Sequence, residues 1–520
     1  MIISYARLYW NGILHFLHVF FVFLQNIPES AGIFRLNSQN SECFQNSLAI
    51  SFSSVYNAGH YSKGGPAMDK RDELYAESFG PLYDRIRTEY AIDEANYRSE
   101  SIKRGLRNSD GTGVIVGVTK IGSVQGYVIQ DGERIPIPGR LYYRGYNIED
   151  ILNAHRKAGT FGYEEVAYLL LMGSLPTEEQ LSHFHTLLAQ WQTLPNGFFE
   201  DMILKAPSPD VMNKLSRSVL AMYSYDDNPD DTGLENILRQ CIQLIARFPT
   251  IVASAYRVKR HYYDGKSLNI HIPKEHLSLA ENFLRLVRSD KSYTDEEVKL
   301  LDLMLILHAE HGGGNNSAFV CRTLSSSGTD TYSAIAGAVG SLKGPLHGGA
   351  NKKVMEMFED IKANVKDYSN ENEVRAYLGK LLDGEAGDRS GKIYGLGHAV
   401  YTISDPRAVL LKQFAADTAA QHGRLEEYKL LESVERLGIP LIMERKNLQL
   451  PMCANVDLYS GLVYSMLGIP AELLTPLFAI ARIAGWCAHR MEETLTCNRL
   501  IRPGYKSAVK PRPYVAIGDR

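Results

Sequence analysis

The sequence predicts an all-α protein with a short β-hairpin near residues 114–146. Apolar residues recur at helical spacing along most of the chain from Met68 onward, and no βαβ alternation appears. Strand-like alternation is confined to the stretch between Val114 and Tyr146. There Tyr127-Val-Ile-Gln runs into Asp131-Gly132, a pair suited to a tight hairpin turn. Leu181, Phe184, Leu187, Leu188 and Trp191 make one helical face, opened by Pro176 and Thr177-Glu178-Glu179. Val374, Tyr377, Leu378, Leu381 and Leu382 make another, stopped by Gly384. Asp405-Pro406 is a cap followed by proline at the first helical position. Leu300 to Leu307 and Leu473 to Ala484 carry so few charges that they read as helices buried on every side.

At about 150 residues per domain, 520 residues hold three or four domains' worth of material. With 56 Lys+Arg against 59 Asp+Glu the net charge is -3, which argues against a nucleic-acid partner held on a basic face. The six cysteines, Cys43, Cys241, Cys321, Cys453, Cys487 and Cys497, form no CxxC pair, so a reducing, cytoplasmic setting is expected.

Residues 1–67 depart from this composition. They carry only five charged side chains, and one apolar run, Ile13 to Leu24, is too short to cross a bilayer. A signal-peptide core is one reading of that run. The simpler reading is an atypical extension upstream of a start at Met68, where Met68-Asp-Lys-Arg-Asp-Glu opens ordinary soluble composition. No membrane association is expected.

The chemistry concentrates after residue 300. Three histidines sit among glycines: His308-Ala-Glu-His311-Gly-Gly-Gly, Gly344-Pro-Leu-His347-Gly-Gly and Gly395-Leu-Gly-His398. Glycine lets the backbone approach a ligand, so such histidines belong beside a cleft, although any one alone reads as a satisfied core or surface residue. His308 and His311, spaced i, i+3, leave a weak metal-hydrolase alternative; HEXXH is absent and no third ligand is evident, so no metal is expected. Phosphate-loop patterns are broken as well: Ala350 stands where a Walker lysine would be. Arg407 opens a helix, Arg502 precedes Pro503, and Arg482 lies inside an apolar helix, where it needs a carboxylate or an anionic ligand. Asp457 reads as an ordinary N-cap or as a base. Several arginines, histidines and one aspartate suit a small polycarboxylate: guanidinium forks grip it while His and Asp move protons.

Taken together, His311-Gly-Gly-Gly-Asn-Asn-Ser, Gly344-Pro-Leu-His347-Gly-Gly-Ala-Asn, His398-Ala-Val-Tyr with Asp405-Pro-Arg407, and Asn455-Val-Asp457 with Tyr459-Ser-Gly resemble the citrate synthase family, in its order, from about residue 100 to 510. The resemblance implies a two-domain multi-helical fold: a large domain over 68–347, a small lid over 348–460 and a return to the large domain over 461–520. It implies condensation of acetyl-CoA, as co-substrate, with oxaloacetate, no permanently bound cofactor, and a homodimer or dimer-based hexamer. His347 would hold the thioester carbonyl, Asp457 would remove the methyl proton, and His398 would polarise the oxaloacetate keto group. His311, Arg407 and Arg482 would bind oxaloacetate, with Arg502 supplied by a neighbouring subunit. The stretch Lys392, Ile393, Tyr394, Gly395, Leu396 and Gly397 would run along the CoA adenine. Gly312 is a departure, because many members carry Glu directly after the histidine matching His311. An extra methylene is worth only about 1–3 kcal/mol in a pocket, so 2-methylcitrate synthesis from propionyl-CoA remains the alternative.

Overall fold

The structure is a computed structural model that describes residues 77, 79, 82–99, 101–496 and 499–520. The expectations for residues 1–67, and the residues Cys43 and Cys497, lie outside these. Two units divide between Asn96 and Tyr97. The described part of the first is helix α1 (Tyr83–Tyr90), closed at Ala91, with a 3-10 turn after it.

The second unit opens with a strap whose turn at 108–112 is closed by Asn108 N donating to the Thr112 carbonyl, and an antiparallel sheet follows. Strands β1 (Gly122–Gln130) and β2 (Glu133–Tyr143) pair through the expected turn, with Asp131 and Gly132 at φ 52 and 83°. The ladder starts at Gly122 rather than near 114, and a third strand, β3 (Tyr146–Asn147), corrects the expected two-stranded hairpin. The reason is a second left-handed turn, Arg144-Gly145, which folds the chain back so that Asn147 both ends the sheet and caps helix α2 (Ile148–Ala158). The β1–β2 register slips between Gln125 and Tyr127, leaving Gly126 at a bulge.

Everything after the sheet is helical, as expected. The elements are α3 (Tyr163–Met172), α4 (Glu178–Trp191), α5 (Val211–Met222), α6 (Leu234–Asp264), α7 (Leu279–Val287), α8 (Asp295–His308), α9 (Asn316–Ser325) and α10 (Thr331–Lys343). There follow α11 (Ala350–Asn364), α12 (Glu371–Leu382), α13 (Pro406–Gln421), α14 (Leu425–Lys446), α15 (Asp457–Met466) and α16 (Leu474–Thr496). Thr177, Ser278 and Thr294 each make a reciprocal capping box, which fixes the starts of α4, α7 and α8. Asp405 caps α13, with Pro406 in its first turn.

Helix α16 packs against α3, α6, α8, α9 and α10. It is the one described helix long and apolar enough to span a bilayer, yet 83% of its apolar stretch is buried inside the protein. Its polar residues are therefore informative. Arg482, Trp486 and His489, at i, i+4 and i+7, share one stripe and are all fully buried. Each meets a partner on the α8–α9 segment, so this stripe is the floor on which the site is built.

Candidate active site

The α8 helix ends at His308, whose ring is sealed between Tyr464 and Phe478 and bonds the Met304 carbonyl through Nδ1. Burial holds that imidazole neutral, its pKa pushed down to about 3. His308 and His311 do not share a helical face, because the helix stops between them. Among the described residues no group of three or more His, Cys, Asp or Glu side chains stands ready to hold a metal.

His311 follows in a turn that reverses at Gly312, φ +80°. Its ring centroid lies 5.2 Å from that of His398 and 5.6 Å from that of Tyr401, and its buried Nε2 has no hydrogen-bond partner among the described residues. Burial lowers its pKa well below the usual value, reinforced by Arg407, His398, Arg482 and His347.

His347 lies in the tight Gly344–Gly349 turn between α10 and α11. A Cβ at Gly348 would stand 2.5 Å from the Leu342 carbonyl oxygen, and one at Gly349 2.9 Å from Pro345 Cα, so the glycines are steric requirements. The Ser317 backbone N–H points to His347 Nε2 at 3.3 Å, and the Ser317 hydroxyl lies 3.0 Å from it. An N–H can only donate, so Nε2 accepts and the ring proton sits on Nδ1. Trp486 Nε1 donates to the same hydroxyl at 3.0 Å. His347 is neutral, its pKa lowered to about 4 by burial and then by Arg482. Burial leads here, ahead of the helix N-terminus that sequence reasoning would credit.

His398 is delivered by a different device. Leu396 and Ala454 form an isolated antiparallel bridge, Gly397 N donates to the Cys453 carbonyl, and Asn455 Nδ2 donates to the Gly397 carbonyl at 2.9 Å. This ties the 394–397 loop to the start of α15. Gly395, at φ +84°, leaves no room for a side chain, because its Cβ would meet Leu458 at 2.9 Å. The backbone N–H groups of Val400 and Tyr401 both donate to His398 Nδ1, at 3.0 and 3.1 Å, so the proton is on Nε2. The ring stacks on Tyr401 at 4.6 Å, and burial followed by Arg407 holds its pKa at about 4.

Two glycines of the sheet support this loop. Gly139 N donates to the Ser404 carbonyl at 3.1 Å, and a Cβ there would lie 2.1 Å from that oxygen. A Cβ at Gly126, the bulge, would lie 2.5 Å from the Val400 carbonyl oxygen. From the strap, Arg107 donates to the Ala399 carbonyl at 3.3 Å. The cleft these parts enclose, about 720 Å³, is lined by His311, His398, Arg107 and Asn315 among others.

Asp457 is the first residue of α15, not its cap. Val456 stands at the cap position without a side-chain bond, and Asn455 Oδ1 accepts from Asp457 N, so the Asp457 carboxylate has no capping role. Its Oδ1 is buried without a hydrogen-bond partner among the described residues, and burial pushes its pKa up to about 6 against the opposing pull of Arg407. Arg407 is fixed by a two-pronged pairing with Asp405, at 3.0 and 2.7 Å, which raises its pKa despite burial. Arg482 donates from Nε to the His308 carbonyl, but Nη1 and Nη2, both buried, have no hydrogen-bond partner among the described residues. Burial lowers its pKa to about 10. An unpaired buried guanidinium is costly, and this one stands open for an anion.

Arg502 is not brought to this cluster. It lies exposed in the extended tail after α16. In the Lys392–Gly397 stretch, Ile393 is buried, and Tyr394 donates to Asp388 at 2.7 Å. Lys392 and Tyr394 border a separate cleft of about 270 Å³ with Lys353, Met357 and Asp360. Sequence reasoning missed Ser317, Tyr401 and the Glu310–His489 pair. The signal was there for His489, which repeats the anomaly of Arg482 two stripe positions on. Ser317 was visible only as part of an Asn-Asn-Ser string.

Comparison with known proteins shows the family. A family model, citrate synthase C-terminal domain, covers residues 108–504. The chain belongs to the citrate synthase family. It is 40% identical over 396 residues to a citrate synthase of Acidithiobacillus ferridurans, covering 74% of this chain and 93% of that one. A 2-methylcitrate synthase of Shewanella oneidensis is 33% identical over 381 residues, with 73% and 92% covered. The citrate synthase of Thermoplasma acidophilum, solved as a ternary complex with carboxymethyl coenzyme A and oxaloacetate, superposes with a TM-score of 0.66 at 27% identity, over 81% of this chain and 100% of that one. The chain is accordingly an acyltransferase of the tricarboxylic acid cycle, condensing the acetyl group of acetyl-CoA with oxaloacetate to give citrate.

Proposed function

We propose that oxaloacetate is gripped between His311, His398, Arg407 and Arg482, and that Asp457 and His347 generate the attacking enolate. The observation that carries this reading is the convergence of unsatisfied buried atoms: both free nitrogens of Arg482, His311 Nε2 and Asp457 Oδ1. A substrate dianion would satisfy the donors; the carboxylate awaits a proton.

A thioester methyl is a very weak acid, so a carboxylate can deprotonate it only if the developing enolate oxygen is stabilised where it forms. His347 is suited to that task, since its Nδ1–H donates while the ring stays neutral. Asp457 takes the methyl proton as His347 donates to the thioester oxygen. The enolate carbon then attacks the keto carbon of oxaloacetate, and the proton on His398 Nε2 moves to the new alkoxide. Water attacks the resulting citryl thioester, the C–S bond breaks, and citrate and CoA leave. Residues 348–460 act as the lid, closing while the enolate exists and admitting water afterwards. The Lys392–Gly397 stretch flanks the adenine of CoA. Arg502 reaches a neighbouring subunit's site in a cytoplasmic homodimer or dimer-based hexamer. Its exposure in the tail after α16 supports that role.

The test measures CoA release and oxaloacetate binding together. Asp457→Ala abolishes condensation while oxaloacetate still binds; equal loss of both would mean that Asp457 is structural. Verified heterodimers of Arg502→Ala with Asp457→Ala recover activity if sites are shared, and no recovery refutes sharing. Parallel turnover of acetyl-CoA and propionyl-CoA decides thioester preference.

A further inference from the structure

Glu310 has no part in the steps above, yet it is held beside His311 by specific bonds to one of its oxygens. It is fully buried, and its Oε1 accepts from Gly312 N at 2.5 Å and stands 2.9 Å from His489 Nε2. Arg322 Nη1 lies 2.9 Å from His489 Nδ1. A guanidinium only donates, so Nδ1 accepts, and the proton on Nε2 is given to Glu310. Arg322 is held in turn by Glu492 and Glu493.

The slot for this carboxylate is built by two glycines. A Cβ at Gly122 would stand 2.9 Å from Glu310 Oε1, and one at Gly485 2.3 Å from Oε2. On the other side of His311, the Tyr143 hydroxyl lies 2.9 Å from the Ile306 carbonyl oxygen and 3.2 Å from that of Glu310. His311 therefore hangs between two clamped peptides. Burial would favour the neutral acid, but His489, Arg482 and the Gly312 N–H outweigh it and keep Glu310 ionised. Of the charged groups acting on Arg482, Glu310 opposes the burial penalty most strongly.

We propose that Glu310, anchored by His489, is the positioning residue of the oxaloacetate pocket, setting the His311 ring through the Gly312 turn and balancing Arg482. The proposal rests on the reading that His311 and Arg482 hold oxaloacetate.

The experiment measures kcat and both KM values for Glu310→Ala, Glu310→Gln and His311→Ala in the full-length enzyme. Glu310→Ala raises the oxaloacetate KM at least about tenfold, with the acetyl-CoA KM within about twofold and kcat reduced less than about threefold. Glu310→Gln keeps an acceptor but loses the charge, and falls between Glu310→Ala and wild type. If Glu310→Ala leaves the oxaloacetate KM unchanged, or raises both KM values together, while His311→Ala raises it, the positioning role is refuted and the site reading stands. An unchanged oxaloacetate KM in His311→Ala overturns both. Should Glu310→Ala fail to fold, Glu310→Gln decides: a selective oxaloacetate KM rise of about threefold supports the role, and no change refutes it.

Discussion

Replacing Asp457 with Asn should destroy activity and stabilise the protein. The carboxyl titrates at about 6 in the folded chain against 3.8 for the free group. The native state thus binds this proton more tightly than the unfolded state. Stability from this group is complete below pH 3.8 and is lost as pH rises through 6. The shift of about 2 units corresponds to about 3 kcal/mol above pH 7, and to about 1–2 kcal/mol at pH 5. An amide cannot ionise, so the variant escapes that cost. At about 2.1 cal/mol/K per residue, the roughly 420 residues of the unit beginning at Tyr97 give an unfolding entropy near 0.9 kcal/mol/K, so the expected gain is about 3 °C in Tm at pH 8. Scanning calorimetry of wild type and Asp457→Asn at pH 5 and pH 8, at equal protein concentration, reads it. A variant no more stable than wild type at pH 8, or an advantage that does not shrink toward pH 5, would refute a destabilising buried carboxylate and with it the prepared base.

The same group sets an acid limb: kcat/KM for acetyl-CoA should fall about tenfold per pH unit below pH 6, while the histidines, at about 4, add no limb between pH 6 and 9. A rate profile flat down to pH 5 contradicts this. Ser317→Ala keeps the backbone donor to His347 but loses the hydroxyl shared with Trp486, and should lower kcat about tenfold with the oxaloacetate KM unchanged, by steady-state kinetics. Arg482→Met should raise Tm in the empty enzyme and weaken oxaloacetate binding by at least about a hundredfold, read by calorimetric titration. Gly139→Ala, which sets a methyl 2.1 Å from the Ser404 oxygen, should displace the His398 loop and raise the oxaloacetate KM about tenfold or more without altering helical circular dichroism.

Much of this was legible in the residues, for identifiable reasons. Helical spacing marks α4 and α12 because each buries one face, and Arg482 announces itself because a charge on an all-apolar helix has no bland explanation. The sheet was harder: β3 is two residues long and depends on positive φ at Arg144, which no spacing reveals. Asp457 was ambiguous between cap and base. Only coordinates show Asp457 as the first residue of α15, one place past the cap position. Ring tautomers were invisible as well, since they depend on which backbone N–H faces each imidazole. That Glu310 and His489 meet required knowing that α16 crosses beneath the α8–α9 turn.

The two idle nitrogens of Arg482 have a consequence outside catalysis. A buried guanidinium with two nitrogens left without hydrogen bonds makes the vacant enzyme the weaker form, and ligand that binds only the folded state adds stability in proportion to the logarithm of its concentration. Resistance to heat and to proteolysis should then climb as the diacid accumulates. In a starved cell, the lifetime of the polypeptide, and not merely its turnover, would follow the supply of its own substrate.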